Sequence, residues 1–389
     1  MTAPREAFVI FMPWVTLPKA VKVGRFRFSP INVEQLDTIV ADKMVTEVRS
    51  ALSCYIGRNG KPIESCTMLL RARHNEAWNI PRDHWKHATD ASKLLALSTL
   101  SEQRFFEGHF SPHMNSTMFR IVGQGIIEGS DQISPIFPRR SGTLKIGGLR
   151  HKDIFFQRPT QIEGTQCGYT NETLLKALQT ARESKSVAAD AIVSSLDPFL
   201  LANAEAVDLD TDSCVMLSAI SFERMLQPNS GAQSLAQAVS QHWYPFCGKT
   251  ISAAKRVKPD PNYAHEQANW PLHRKWAKEL YELRSSIVHK GRNSKFSQNW
   301  SSPQHLIIAA FTYPLLVKLR LAEEAFYSLS DRELGACEAL DQLLDSDWGE
   351  GWRRPPEWSR ILSIAEEASA RRWSIRRSID QVNKSNAGQ

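Results

Sequence analysis

The sequence predicts an α+β N-terminal domain followed by an all-α helical bundle. Three observations carry that expectation. The chain has 389 residues, more than one hydrophobic core of roughly 250–300 residues comfortably holds, so two domains are expected. The first part shows short alternating apolar runs punctuated by Gly and Pro, including Pro135, Pro138 and Pro159, as strands and turns do. From Asn171 onward the apolar spacing becomes helical. The change falls around Gly164 to Tyr169 and divides the chain into a domain at 1–167 and another at 168–389.

In the first part, the apolar run from Glu6 to Val15 has strand composition. Val21 to Phe28 alternates, with Val21, Val23, Phe26 and Phe28 set against Lys22, Arg25 and Arg27. Asn59-Gly60 is the strongest hairpin signal, with Ala51 to Ile56 running in and Ile63 to Leu70 running out. An apolar stripe through Ala91, Leu94, Leu95, Leu97, Leu100 and Phe105 predicts a helix over 90–106. Further short strands are expected at 117–122, 143–146 and 153–156.

In the second part, helices are expected at 173–184, 186–203, 211–226, 234–243, 271–290, 302–329, 331–344 and 356–379. The 271–290 helix opens at Pro271 and closes at Gly291, the usual asymmetry of helix ends. No repeat or low-complexity tract interrupts this pattern.

Composition narrows the function classes. Charge is mildly basic, 48 Lys+Arg against 41 Asp+Glu for a net +7, which permits a polyanionic partner without demanding one. The excess is local: residues 269–295 hold seven basic groups against two acids, and 351–389 hold eight against four. Six scattered cysteines without a CxxC spacing match neither a disulfide framework nor a zinc site. The apolar run Ala7 to Val15 is too short and lacks the basic flank of a signal peptide, and no membrane span is expected. A reducing, cytoplasmic location follows as the expectation. His84-x-x-His87 and His109-x-x-x-His113 have no acid or Cys ligand at helical spacing, so neither metal nor cofactor is expected. Ser141-Gly142 to Gly147-Gly148 lacks the ending of a phosphate-binding loop.

The candidates for chemistry are Arg284 and His289; on spacing alone the simpler reading is a helix C-terminus, with His289 stabilised in the last turn by the helix dipole and Arg284 paired with Glu279 or another acid. Cleaving RNA without a metal requires a proton taken from the ribose 2′-OH, a proton given to the leaving 5′-oxygen, and stabilisation of a charged phosphorane. Histidine, with an unperturbed pKa of about 6.5, serves the proton transfers, and arginine offers a permanent planar fork for phosphate oxygens. Five residues of regular helix turn through about 500°, leaving the two about 140° apart in azimuth. Either the helix loosens before Gly291, or a second chain completes the site in a symmetric dimer.

The string Leu280-Tyr281-Glu282-Leu283-Arg284-Ser285-Ser286-Ile287-Val288-His289-Lys290-Gly291 resembles the RxxxxH segment of the HEPN superfamily. Its form Tyr-x-x-Arg-Ser-x-Ile-Val-His-x-Gly is similar to the Apea-like branch. The helix at 214–226, with Glu223 inside an apolar run, and the apolar helix after the motif resemble that branch too; together the resemblance covers roughly 180–345. It implies a HEPN-like helical bundle, a homodimer, and an endoribonuclease serving as a toxin or in anti-phage defence. Arg284 would bind the scissile phosphate, His289 would transfer protons and Glu223 would orient Arg284, with Tyr281 and Ser285 in support. Many active members carry Asn, Asp or His after the Arg, where this chain has Ser285. A non-catalytic dimerisation or RNA-binding module is the alternative.

Further RNA contacts are expected from Lys290, Arg292, Arg372, Trp373 and Arg376. Against this stands a simpler reading of the C-terminal Trp/Arg patch, in which Trp348, Trp352, Trp358 and Trp373 cap the helical core and the arginines line a solvated face. The N-terminal domain is expected to sense a trigger or select substrate.

Overall fold

The computed structural model describes residues 5–387 except 39–43, 58–59, 73–78, 103–114, 140–141, 158–165, 205–207, 247, 291–297 and 350–356, with backbone alone at 137–139, 142–145, 166, 290 and 381–387. The described residues form two compact units, one within Met1–Phe105 and Asn115–Leu175, the other within Lys176–Gln389.

The first unit is built on an antiparallel sheet whose central strand is β1 (Glu6–Met12). On one side β1 pairs with β6 (Ser65–Arg71), then come β4 (Phe26–Asn32) and β3 (Val21–Val23). On the other side lie β7 (Val122–Ile127), β8 (Gln132–Arg139) and β10 (Leu149–Arg150), with β9 (Gly142–Lys145) also on β8. Six of the seven residues of β1 are buried, because both faces are covered. One face meets α1 (Val45–Ser53): Ala7, Val9 and Phe11 share a core with Val48, Ala51 and Leu52. On the other face Phe8 packs on Trp85 of α2 (Trp85–Leu100), with ring centroids 6.2 Å apart. Two short parallel pairs complete the unit, β5 (Tyr55–Ile56) with β11 (Phe156–Gln157) and β2 (Val15–Thr16) with β12 (Gln166–Cys167).

Several local expectations are corrected here. Ala51 to Ser53 is the end of α1, not a strand, because Val48, Ala51 and Leu52 turn one helical face to the sheet. Asn59 lies outside the described residues. The chain does reverse beside it, with the Gly57 amide donating to the Lys61 carbonyl at 2.8 Å and Gly60 at φ +73°. The reversal joins β5 to a single bridge, Ile56 to Pro62, while β6 takes its partners from β1 and β4. Thr117 to Phe119 is a 3-10 turn and the strand begins at Val122. Of 153–156, Phe156 alone is in a strand. Helix α2 starts at Trp85 and stops at Leu100.

The second unit is helical: α3 (Glu172–Glu183), which begins in the first unit's sequence, α4 (Val187–Ala202), α5 (Thr211–Leu226), α6 (Ala232–Trp243), the short α7 (Ala264–Gln267), α8 (Leu272–Lys290), α9 (Ser302–Glu323), α10 (Asp331–Leu344) and α11 (Glu357–Ala387). Local caps set the boundaries. Ser186, Asp210, Ser301 and Ser330 each accept an amide from the first turn, the last two within capping boxes. The expected helix over 302–329 ends early, at Glu323, with Ala325 at φ +61° breaking it. Helix α11 runs beyond Ile379 to Ala387.

The core forms where four helices bring aromatic rings together. Phe199 of α4 stacks on Tyr313 of α9 at 3.8 Å, and Phe222 of α5 meets Tyr313 and Trp276 of α8 edge-on at 5.7 and 5.5 Å. Helix α9 is long and apolar enough to cross a membrane by composition, but 83% of its apolar window is buried inside the fold, the packing of a central core helix. Buried His273 and His305 have their pKa values pushed down to about 3 by desolvation and stay neutral. Cys54, Cys66, Cys214 and Cys337 are free and buried, and Cys167 is free and exposed; burial pushes the Cys66 thiol up to about 12, which makes it unreactive.

Helices α10 and α11 cross at Gly335. A Cβ there would sit 2.7 Å from the Ala370 amide nitrogen and 2.9 Å from the Glu366 carbonyl oxygen, both backbone atoms. Gly335→Ala gains up to about 1 kcal/mol in helix propensity, but forcing the two backbones apart costs about 1–3 kcal/mol. The substitution is therefore expected to lower the denaturation midpoint, and a raised midpoint would contradict this close crossing.

A candidate phosphate-binding and proton-transfer helix

The chemistry-bearing residues sit on α8. Its inner face, Leu272, Trp276, Ala277, Leu280 and Leu283, is buried at the i, i+4, i+8 spacing of a core-facing helix. Arg284 leaves this face sideways. Its guanidinium lies over the Tyr281 ring at 5.4 Å and its Nε is 3.8 Å from Glu223 Oε2 on α5, with both side chains about a quarter exposed, 27% and 26%. That distance makes an ion pair but is too long for a hydrogen bond, and Nε is buried without an acceptor among the described residues. Ser285 is half-buried, Ser286 is buried and His289 is exposed. The helix stays α-helical through Lys290, so the expected loosening before Gly291 does not occur within the described residues. Arg284 and His289 thus keep their separation of about 140° and do not converge within one chain. The Lys290 side chain and Arg292 lie outside the described residues.

A second polar stripe on α8, unassigned by sequence reasoning, runs through Lys275, Lys278, Glu279 and Glu282. Lys275 and Glu279 have side chains only 1% exposed and pair at 3.1 Å. Asn299 donates to Glu279 twice, from its amide at 2.9 Å and from Nδ2 at 2.6 Å. Asp260 takes Lys275, Lys278 and Gln267 as donors, and Lys278 also pairs with Glu282. Burial alone would raise the Asp260 pKa, but these donors outweigh it and hold it at about 2. For Glu279 burial prevails and its pKa is raised despite Lys275 and Asn299. The available signal was the spacing i, i+3, i+4, i+7 of two lysines followed by two glutamates, which sets each Lys four residues before a Glu; the partners Asp260 and Asn299 come from distant loops.

The loop over this stripe is fastened by two carboxylates at the C-terminal end of α10, Asp341 within the helix and Asp345 at its C-cap. Asp341 Oδ2 accepts the amides of Gly248 and Lys249 at 3.0 and 2.8 Å, and Asp345 Oδ1 accepts those of Lys255 and Arg256 at 2.9 and 2.8 Å. Burial raises the Asp341 pKa to about 6, against the pull of those amides. The folded state therefore holds this proton more tightly than the unfolded chain, with its carboxyl near 3.9. The resulting stability is present below about pH 4 and is lost as pH rises through 6, a difference of at most about 3 kcal/mol. Asp341→Asn keeps an acceptor and removes the buried charge. Denaturant unfolding is expected to show this variant gaining stability over the wild type by about 1–3 kcal/mol at pH 7.5 and little at pH 4; a difference that does not grow with pH would contradict it.

In the C-terminal patch the described tryptophans pack against the fold. Trp348 and Trp358 are buried, and Trp348 donates to the Leu343 carbonyl at 2.8 Å. Trp373 is half-buried against Phe246 and covered by Arg376 at 5.5 Å. Arg372 is held by Glu338 at 2.8 Å and Arg377 by Asp331 at 3.0 Å, so Arg372 and Trp373 are occupied within the fold. Trp352, Arg353 and Arg354 lie outside the described residues. His84 and His87 stack edge-on at 6.4 Å, while His109 and His113 lie outside the described residues. Among the described residues no three His, Cys, Asp or Glu side chains gather to hold a metal.

Comparison of this chain with protein-family models, with curated proteins and with solved structures finds no match.

Proposed function

We propose that the helical unit is a metal-independent endoribonuclease of HEPN type, completed across a symmetric dimer in which Arg284 of one chain works with His289 of its partner. The observation that carries this reading is the unbroken helix between them, with Arg284 aimed by Tyr281 and Glu223 and His289 exposed one turn further on. A single chain leaves an arginine fork and an imidazole on different faces, and a twofold axis beside α8 would bring one of each to a shared phosphate. The arginine stabilises the phosphorane charge, and the histidine moves the proton at the 2′-OH or the 5′-oxygen. The products are a 2′,3′-cyclic phosphate and a 5′-hydroxyl. A role as a toxin or anti-phage effector in the cytoplasm, triggered through the sheet-containing unit, is the biological setting proposed with it.

One observation favours a second reading, a non-catalytic dimerisation or RNA-binding module. Glu223 already neutralises Arg284, as it would in a purely structural pair. Incubation of RNA with the chain in excess EDTA separates the two. Cleavage leaving cyclic phosphate ends, with DNA untouched, supports the enzyme. RNA left intact, or cleavage that needs added metal, removes the metal-independent ribonuclease.

A further inference from the structure

Lys278, Glu279 and Glu282 of the α8 stripe form the floor of a cleft of about 580 Å³, a size typical of small-ligand sites. Its chemistry is uneven in a specific way. Lys275, Lys278, Asp260 and Glu279 satisfy one another. Four groups around them are left over. Among the described residues Arg256 has a buried Nη1 with no acceptor, and Lys258 lines the cleft as an exposed cation. On the floor, Glu282 spends Oε1 on Lys278 while its Oε2 is buried with no donor among the described residues. At the rim Tyr263 is 52% exposed beside Pro259 and Pro261.

The ligand that fits these four groups carries an anion for Arg256 and Lys258, an N–H donor for Glu282 and a flat face for Tyr263. We infer that this cleft binds a nucleotide, with the phosphate on the cationic wall and the base stacked on Tyr263 with its amino edge toward Glu282. Aromatic stacking beside basic groups is how single strands are held without a duplex, and a lone carboxylate oxygen reads a base amino group. Helix geometry ties the cleft to the proposed chemistry. His289 follows Glu282 by seven residues, which returns it to within about 20° of the same face and about 10 Å further along the axis. A short strand lying in the cleft would therefore lead toward His289. The assignment deepens the ribonuclease reading and rests on it for the choice of RNA over a free nucleotide.

Binding is measured on the full His289→Ala chain in EDTA, by anisotropy of a short labelled single-stranded RNA, with AMP as competitor. Tyr263 and Lys258 are exposed, so Tyr263→Ala and Lys258→Glu should fold normally, as checked by their melting curves. Each is expected to weaken RNA binding about tenfold or more. Competition by AMP that is lost in both variants supports a site for the free nucleotide unit; cleft-dependent RNA binding without competition supports a site for the strand. Affinity unchanged in both variants, or no binding by the parent chain, overturns the assignment. Because cleavage is not read, the two ideas fail separately. Cleft-dependent binding by a chain whose wild type never cleaves RNA leaves the nucleotide site and removes the ribonuclease. Cleavage with cleft-independent binding does the reverse.

Discussion

Replacing His289 with Ala is expected to reduce RNA cleavage by about 10²–10⁴-fold, the usual worth of a positioned general acid or base. His289 is exposed at the last turn of α8, so the loss should come without a change in melting temperature. Arg284→Ala should cause a comparable loss by removing the fork that meets the phosphorane, at a removed-donor cost of about 10²–10³-fold. Arg284→Lys keeps the charge but not the bidentate geometry and should recover little. Glu223→Gln keeps a side chain beside the guanidinium at 3.8 Å and should cost less than either. Product formation from a defined RNA in EDTA reads all four. A His289→Ala chain as active as the wild type would remove His289 from the chemistry.

The second large effect concerns stability. Lys275→Ala removes the cation from a pair whose side chains are both 1% exposed. Glu279 would keep only the two donors of Asn299, while Asp260 would still hold Lys278 and Gln267. An exposed pair would contribute about 0–1 kcal/mol; leaving a carboxylate uncompensated in the interior costs about 3–5 kcal/mol. Burial decides between these figures, and the larger is expected in denaturant unfolding. The double variant Lys275→Met with Glu279→Gln should recover most of the loss, because it leaves no unpaired buried charge. A Lys275→Ala loss below about 1 kcal/mol, or a double variant as weak as the sum of its parts, would mean the pair is hydrated.

The helical unit was largely legible because its boundaries are local. Asp210 and the Ser330-x-x-Glu333 box fix the starts of α5 and α10 within a few residues of sequence. The sheet was less so. The apolar run of β1 reads as a strand, but its place between β6 and β7 depends on pairings across more than fifty residues. The Asn59-Gly60 signal was a true reversal attached to the wrong elements, because a turn motif encodes the bend and not the length of what enters it. Of the residues the sequence singled out, Arg284 and Glu223 stand together, while His289 lies on another face of the helix that carries Arg284. The sequence did not reveal that Glu279, on the same helix as Arg284, is buried with Lys275 while Arg284 meets Glu223. Which of two acids a cation meets depends on helix azimuth and on a loop fastened from α10, and neither is written in the motif.

The most direct measurement is complementation between two silent chains. Arg284→Ala and His289→Ala proteins are prepared separately, allowed to exchange subunits, and assayed on RNA in EDTA. A site made from Arg284 of one chain and His289 of its partner predicts that each protein alone is inactive. It also predicts that the mixture regains cleavage, since every mixed dimer holds one intact site beside one doubly damaged site. Full activity in either protein alone, or a mixture of exchanged subunits that stays silent beside an active wild type, would contradict a shared site.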